Sequence, residues 1–271
     1  GLALSISMFV SLPQLRIQQL TLVFFDNSTS LRQLRKFISL WMILVTGVAL
    51  VVVIPQTTEF LLTTVFSVSG DLKENASDAL LWLIPLPGLL VLKMHLYGAV
   101  LRISRPRIAW IGTGAGAITT VTVAIILFTT DLLHGSSIAA AAMTSGTLVE
   151  TATLTAVAIQ PLRKFEGTSN IAKPSIKSMT RFFSPLLFAA LLPAGTHPIL
   201  NAGMARSPEP VVSIAAVAMA FGFFQLIAVA TNGTQNTALA LFASKHDPFR
   251  VRRFALTIGV ITFAVVALIA Y

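Results

Sequence analysis

The residue of this sequence best placed to do chemistry is Glu150, a carboxylate inside a long apolar segment. Thr147, Glu150 and Thr151 are spaced i, i+3 and i+4, so one face of a helix carries all three. Ser145 and Gly146 would let a neighbouring helix approach closely. A charge near a bilayer centre costs at least about 2.5–3.5 kcal/mol, which favours a functional role. We expect Glu150 to bind a proton or a cation; the alternative is a structural pair with a basic side chain.

Arg16 and Gln19 are the next polar residues in an apolar segment, and they share a helix face. The guanidinium of Arg16 would present a planar fork to a carboxylate or phosphate. Two alternatives stay open for Arg16: its side chain snorkels toward the interface, or it neutralises Glu150. Lys93 and His95 are two residues apart and therefore lie on different faces, and we expect Lys93 to snorkel or to bond within its own lobe.

Three amides form a second polar stripe: Asn232, Gln235 and Asn236 are spaced i, i+3 and i+4. They would bind a hydroxylated or anionic solute, or equally hold helices together by hydrogen bonds worth roughly 0.6 kcal/mol each. His197 and Asn201 lie four residues apart on a further apolar segment. His197 either bonds a neighbouring helix or acts as a switch.

Prolines inside apolar segments predict helix breaks, because each proline removes a backbone hydrogen bond. Freed backbone groups are tolerated in a membrane only where they face protein or a water-filled cavity. The predicted breaks are at Pro85, Pro87, Pro185, Pro193 and Pro198.

The composition indicates the class of protein whose helices must position these residues. The chain has 271 residues, 55% hydrophobic and 11% charged, with a mean hydropathy of +0.83. Soluble domains average roughly 25% charged residues. A soluble enzyme, a disordered tail and, because cysteine is absent, a disulfide scaffold are excluded. No phosphate-binding loop or HExxH pair occurs, so we expect no cofactor, no metal and no catalytic residue.

The apolar runs have the length of membrane-crossing helices, about 20 residues each. The fold class they predict is an all-α polytopic membrane protein with about eight transmembrane helices. The predicted spans are about 1–25, 37–56, 79–101, 108–130, 136–160, 182–203, 210–242 and 254–271.

The net charge of +9 is a topology signal in such a protein. Fifteen of the 19 basic residues fall in the segments after spans one, three, five and seven. These alternating segments are predicted to be cytoplasmic in a multi-pass protein of the plasma or inner membrane. This distribution argues against nucleic acid as a partner.

A polar stretch divides the chain into two predicted lobes. The lobes are 1–160, with about five helices, and 182–271, with about three, joined by a cytoplasmic linker at 161–181. A shift of 217 residues aligns the two, with five identities between positions 18 and 37, including Gln18 with Gln235 and Arg35 with Arg252. Both lobes are predicted to be incomplete, so we expect the chain to be a fragment of a longer protein.

Two segments resemble the progressive ankylosis (ANKH-like) family. Residues 179–210, MTRFFSPLLFAALLPAGTHPILNAGMARSPEP, are similar to the start of that family's second lobe. Residues 82–109, WLIPLPGLLVLKMHLYGAVLRISRPRIA, resemble its fourth helix and the basic turn that follows. The family belongs to the MOP exporter superfamily, with MATE drug extruders and flippases of lipid-linked oligosaccharides. The resemblance implies two six-helix lobes, of which this chain would contain helices two to nine.

The predicted function is therefore secondary active transport: efflux of a small organic solute or anion by alternating access, as in an antiporter. The bilayer, the solute and a coupling proton or sodium ion would be its partners. A flippase of a lipid-linked saccharide precursor is the first alternative, although it should have a more cationic cleft. A membrane-embedded transferase is the second, and it would need clustered charges at one membrane face.

Overall fold

The computed structural model describes residues 1–133, 135–165, 174–222 and 248–270, and all regular secondary structure among them is helical. The helices are α1 Leu2–Ser11, α2 Ile17–Phe24, α3 Ser28–Val52, α4 Pro55–Glu59, α5 Asp71–Leu83, α6 Leu86–Arg102, α7 Pro106–Thr130, α8 Ser136–Arg163, α9 Ile176–Met204, α10 Pro210–Gly222 and α11 Pro248–Ala270. A 3₁₀ turn, Leu12–Arg16, joins α1 to α2, and a π turn, Phe60–Val65, follows α4.

Four segments among the described residues are long and apolar enough to cross a membrane: Thr29–Val52, Asp71–Arg102, Pro106–Thr130 and Ile176–Met204. Asp71–Arg102 combines α5 and α6. Since the described residues form helices only and include four such segments, they are consistent with a helical membrane protein. Helix α8 is 28 residues long, but its many hydroxyl side chains and Glu150 lower its hydropathy, and it is not one of the four.

Helix α3 begins nine residues before the predicted span because its first turn is capped. The Asn27 side chain accepts a hydrogen bond from the Ser30 backbone N–H (2.8 Å), and the Ser30 hydroxyl bonds back to the Asn27 backbone N–H (2.9 Å). This reciprocal cap satisfies two N–H groups that a helix start leaves open. Ser175 and Ser178 cap α9 in the same way. The predicted linker at 161–181 therefore has helical ends, in α8 and α9, and its residues 166–173 lie outside the described part.

The chain divides into two compact units, Gly1–Val211 and Val212–Tyr271. The core of the first unit is a buried apolar cluster from α2, α3, α6, α8 and α9, with Ile108 from the first turn of α7. Aromatic rings join α3 to α9 within it: Trp41 and Phe37 both meet Phe183 edge to face, at centroid distances of 5.1 and 6.1 Å. In contrast, α7 exposes most of its large apolar side chains, with Trp110 77% exposed, as expected for a helix that faces lipid.

The predicted proline breaks have two different outcomes. Helix α5 ends at Leu83 and α6 begins at Leu86, so Pro85 lies between them and Pro87 is in the first turn of α6, where a missing N–H costs little. Pro185, Pro193 and Pro198 lie inside α9, which continues without interruption from Ile176 to Met204. The predicted break at these three prolines stays a prediction, because a helix that continues past a proline can still kink there. A proline removes one hydrogen bond, and the flanking turns of a long helix continue past it.

Candidate functional site

Glu150 lies midway along α8 and is buried, with 7% of its surface exposed. Its Oε2 atom is 2.8 Å from the Nζ atom of Lys93 on α6, an ion pair in which both side chains are largely buried. Among the described residues the cation that pairs with Glu150 is thus Lys93, rather than Arg16 as one alternative proposed.

Two hydroxyl groups bind the other carboxylate oxygen. The Tyr97 hydroxyl, one turn along α6 from Lys93, donates a hydrogen bond to Oε1 of Glu150. The Thr113 hydroxyl on α7 is 3.3 Å from the same oxygen and also contacts the Tyr97 hydroxyl. Two helices, α6 and α7, thus supply donors to one carboxylate on a third helix, α8. We call Lys93, Tyr97, Thr113 and Glu150 the carboxylate cluster.

Glycines allow α7 to approach α8 closely enough to complete this cluster. A Cβ atom at Gly116 would lie 2.7 Å from Cβ of Glu150 and 3.0 Å from the carbonyl oxygen of Gly146. A Cβ atom at Gly146 would lie 2.8 Å from the carbonyl oxygen of Gly116 and would meet Thr120. Real Cβ atoms essentially never come within 3.0 Å of another heavy atom, and each position has such a contact, so both favour glycine. Gly114 has open space around it, although it belongs to the same GTGAG run.

The contacts of the Glu150 carboxylate offset the cost of burying it. Removing two charges from water costs several kcal/mol per ion, and only a close, well-hydrogen-bonded pair repays it. Lys93 supplies the opposite charge, and Tyr97 and Thr113 supply hydrogen bonds to the remaining lone pairs. A proton on Glu150, or another cation in place of the Lys93 ammonium, would weaken the pair and leave the hydroxyl groups as partners.

His95 and Lys93 contact different helices, in keeping with their spacing. His95 is 2% exposed, and its Nδ1 atom is 3.1 Å from the Thr21 hydroxyl on α2. A Cβ atom at the nearby Gly98 would lie 2.7 Å from both the Gln18 carbonyl oxygen and Cβ of Thr21. The hydrogen bond and the close contact hold α2 against α6.

Arg16 and Gln19 lie at the junction of the 3₁₀ turn and α2. Arg16 is the last residue of the turn and is half-buried, and Gln19 is buried on α2. The neighbouring Gln14 accepts a hydrogen bond of 2.6 Å from the Trp41 indole. The solute contact predicted for Arg16 and Gln19 stays a prediction.

His197 and Asn201 both lie on α9, which packs against α1 and the 3₁₀ turn. Asn201 is buried and His197 is half-buried. Their position one turn apart agrees with a shared helix face. The predicted amide stripe, Asn232, Gln235 and Asn236, lies outside the described residues.

Sequence reasoning missed two members of the carboxylate cluster, Tyr97 and Thr113. Tyr97 had a signal, because it is spaced i+4 from Lys93 and so shares its helix face. Thr113 had a weaker one: it lies within the glycine run, at the place where a neighbouring helix comes closest. A polar contact outside the cluster was also missed. The Arg102 side chain donates a hydrogen bond of 3.0 Å to the Phe25 carbonyl oxygen and forms an ion pair of 3.4 Å with Asp26.

The fold and the site are those of a class of protein, helical membrane proteins with a buried ion pair. Comparison with known proteins does not identify the chain more closely. No family model, no curated protein and no solved structure matches the chain. The resemblance to the progressive ankylosis family stays a prediction.

Proposed function

We propose that this chain belongs to a secondary active transporter that exports a small organic solute or anion by alternating access. Glu150 is the carboxylate that couples the cycle to a proton or a sodium ion. Eight membrane spans in two lobes and cytoplasmic basic loops are parts of the same proposal. A pathway lined by Arg16, Gln19, His197, Asn201 and the amide stripe is a further part.

The observation that carries the proposal is the buried pair of Lys93 and Glu150, at 2.8 Å. Stability alone does not require such a pair, since well-packed apolar residues of similar volume are often equally or more stabilising. Ionisable residues inside membrane helices mark ion and substrate pathways by default. The pair is therefore best explained by a role in which its charges change partners.

The carboxylate cluster contains the groups that an exchange of charge partners at Glu150 requires. With the pair closed, the Lys93 ammonium occupies the position that a coupling cation would take at Glu150. Protonation of Glu150 removes the attraction and frees Lys93, while Tyr97 and Thr113 still bind the carboxyl group. A ligand shifts a conformational equilibrium only by its differential affinity for the two states. In the proposal, proton or cation binding at Glu150 supplies that difference.

The test compares the growth medium of cells that make the full-length protein or its variants at matched membrane abundance. The test variant is Glu150→Gln. The matched control is Glu59→Gln, because Glu59 pairs with Lys73 at a similar distance, 3.0 Å, but is largely exposed. We expect a solute to accumulate outside cells with the unmodified protein and with Glu59→Gln, and not with Glu150→Gln.

Identical media from all cells would contradict the proposal. Unchanged media with an altered distribution of lipid-linked saccharide across the membrane would replace it with the flippase alternative.

A further inference from the structure

A cavity of about 660 Å³ lies where the start of α3 meets the end of α8 and the start of α9. Arg32, Arg35 and Lys36 of α3 and Arg163 of α8 line it, and we call these four residues the basic pocket. Arg32, Arg35 and Lys36 are spaced i, i+3 and i+4, so one face of α3 presents three cations together. Arg163, the last residue of α8, adds a fourth from another helix.

The charge of the basic pocket is not balanced by its own lining. No carboxylate is among the described residues that line the cavity, and no described residue forms an ion pair with these four side chains. Like charges one turn apart on a helix repel each other. An anion in the cavity would remove this repulsion and would gain a charge-assisted hydrogen bond from each cation that it meets.

Apart from Ser39, the rest of the lining is apolar. Leu31 and Leu162 are buried at the cavity, while Leu40 and Ile176 leave about half of their surface exposed at it. The cavity also lies at the start of a candidate membrane segment, Thr29–Val52. In a helix that crosses a bilayer, such an end lies near the boundary between hydrocarbon and water. A ligand that fits both parts has an anionic head and an apolar tail.

We propose that the basic pocket binds the headgroup of an anionic phospholipid, with its acyl chains along Leu40 and Ile176. Basic pockets between membrane helices bind such headgroups in other proteins. The bound lipid is a resident of the protein rather than its transported solute. The basic pocket is separate from the carboxylate cluster, because 13 residues of α8 at about 1.5 Å each divide Arg163 from Glu150.

The test measures lipid binding by native mass spectrometry of the full-length protein in neutral detergent. The ligands are dioleoylphosphatidylglycerol, dioleoylphosphatidylcholine and inorganic phosphate. The test variant is Arg32→Gln/Arg35→Gln/Lys36→Gln. The control variant, Arg107→Gln/Arg252→Gln/Arg253→Gln, removes the same charge from exposed residues that are not part of the cavity lining.

We expect the unmodified protein and the control variant to retain phosphatidylglycerol in preference to phosphatidylcholine. The affinity of the test variant for phosphatidylglycerol should fall by about tenfold or more. If that variant does not fold, Arg163→Gln on the other helix should weaken binding, as should added salt with the unmodified protein.

Three results would overturn the proposal. The test variant, or Arg163→Gln in its place, would bind phosphatidylglycerol as the unmodified protein does. Phosphatidylcholine would bind as tightly as phosphatidylglycerol. Inorganic phosphate alone would displace the lipid, which would assign the basic pocket to a free anion instead.

Discussion

The Nζ atom of Lys93 lies 2.8 Å from Oε2 of Glu150, although 57 residues separate them in the chain. Both residues are inside helices, and both side chains are largely shielded from solvent. The pair joins α6 to α8 through charge, whereas the core cluster to which both helices contribute is apolar. Its energetics therefore differ from those of a surface ion pair, and the first prediction uses that difference.

Breaking the buried pair should destabilise the protein far more than breaking an exposed one. Lys93→Met leaves the Glu150 charge buried without its counter-ion, which costs about 3–5 kcal/mol. Lys73→Met breaks the exposed pair with Glu59 and should cost about 0–1 kcal/mol. Denaturant unfolding of the detergent-solubilised protein measures both. Equal costs for the two variants would show that water screens the Lys93–Glu150 pair.

Tyr97→Phe removes one hydrogen bond to the carboxylate and keeps the aromatic ring. Hydrogen bonds to charged groups contribute roughly 1.5–3 kcal/mol, and we expect a loss of that size. A double-mutant cycle with Glu150→Gln tests the assignment: because the two residues contact each other, their effects should not add. Additive effects would mean that Tyr97 stabilises the protein through its other contacts.

Gly116→Ala and Gly146→Ala should each destabilise the packing of α7 against α8, by about 1–3 kcal/mol. The added methyl group would meet Glu150 and backbone carbonyl oxygens at 3.0 Å or less. Gly114→Ala is the matched control, because a Cβ atom there meets nothing within 4 Å. It should be neutral or stabilising, since alanine favours a helix over glycine by up to about 1 kcal/mol. Thermal unfolding of the three variants gives the comparison, and equal destabilisation by all three would contradict it.

The proposed orientation of α7 can be tested because the chain contains no cysteine. A single cysteine introduced at Ser104, before α7, or at Thr130, the last residue of α7, is then the only reactive thiol of this chain. If the basic turn around Arg105 is cytoplasmic, a membrane-impermeant maleimide should label the Thr130 variant in intact cells. The Ser104 variant should react only after the cells are permeabilised. Labelling of both variants in intact cells would show that α7 does not cross the membrane in the proposed way.

The sequence was sufficient to predict a helical membrane protein and Glu150 as its sharpest polar residue, because apolar length and buried charge are local properties. The partner of Glu150 was not predictable in that way. Lys93 is 57 residues distant, and its choice over Arg16 depends on how α6 and α8 pack. The place of Thr113 in the cluster depends on another contact, that of α7 with α8 at Gly116 and Gly146. Glycines indicate a close helix contact but do not name the neighbouring helix.

Helix boundaries, like the partner of Glu150, depend on interactions that hydropathy alone does not report. The span predicted from residue 37 corresponds only to the apolar part of α3, the part suited to a hydrocarbon layer. The helix itself begins at Ser28, because Asn27 caps it. Similarly, prolines predict locally weak hydrogen bonding, but α9 continues through Pro185, Pro193 and Pro198. Neighbouring turns and tertiary contacts decide whether a proline ends a helix.

The measurement that tests the central claim most directly separates stability from export in one set of variants. Lys93→Met/Glu150→Gln removes both charges of the pair, so no uncompensated charge stays buried. Its free energy of unfolding should recover to within about 1 kcal/mol of the unmodified protein. Export of the solute, measured at matched membrane abundance, should stay at the background level of Glu150→Gln, because no carboxylate is left to bind the coupling ion. Recovery of export together with stability would contradict the account and would make the Lys93–Glu150 pair purely structural.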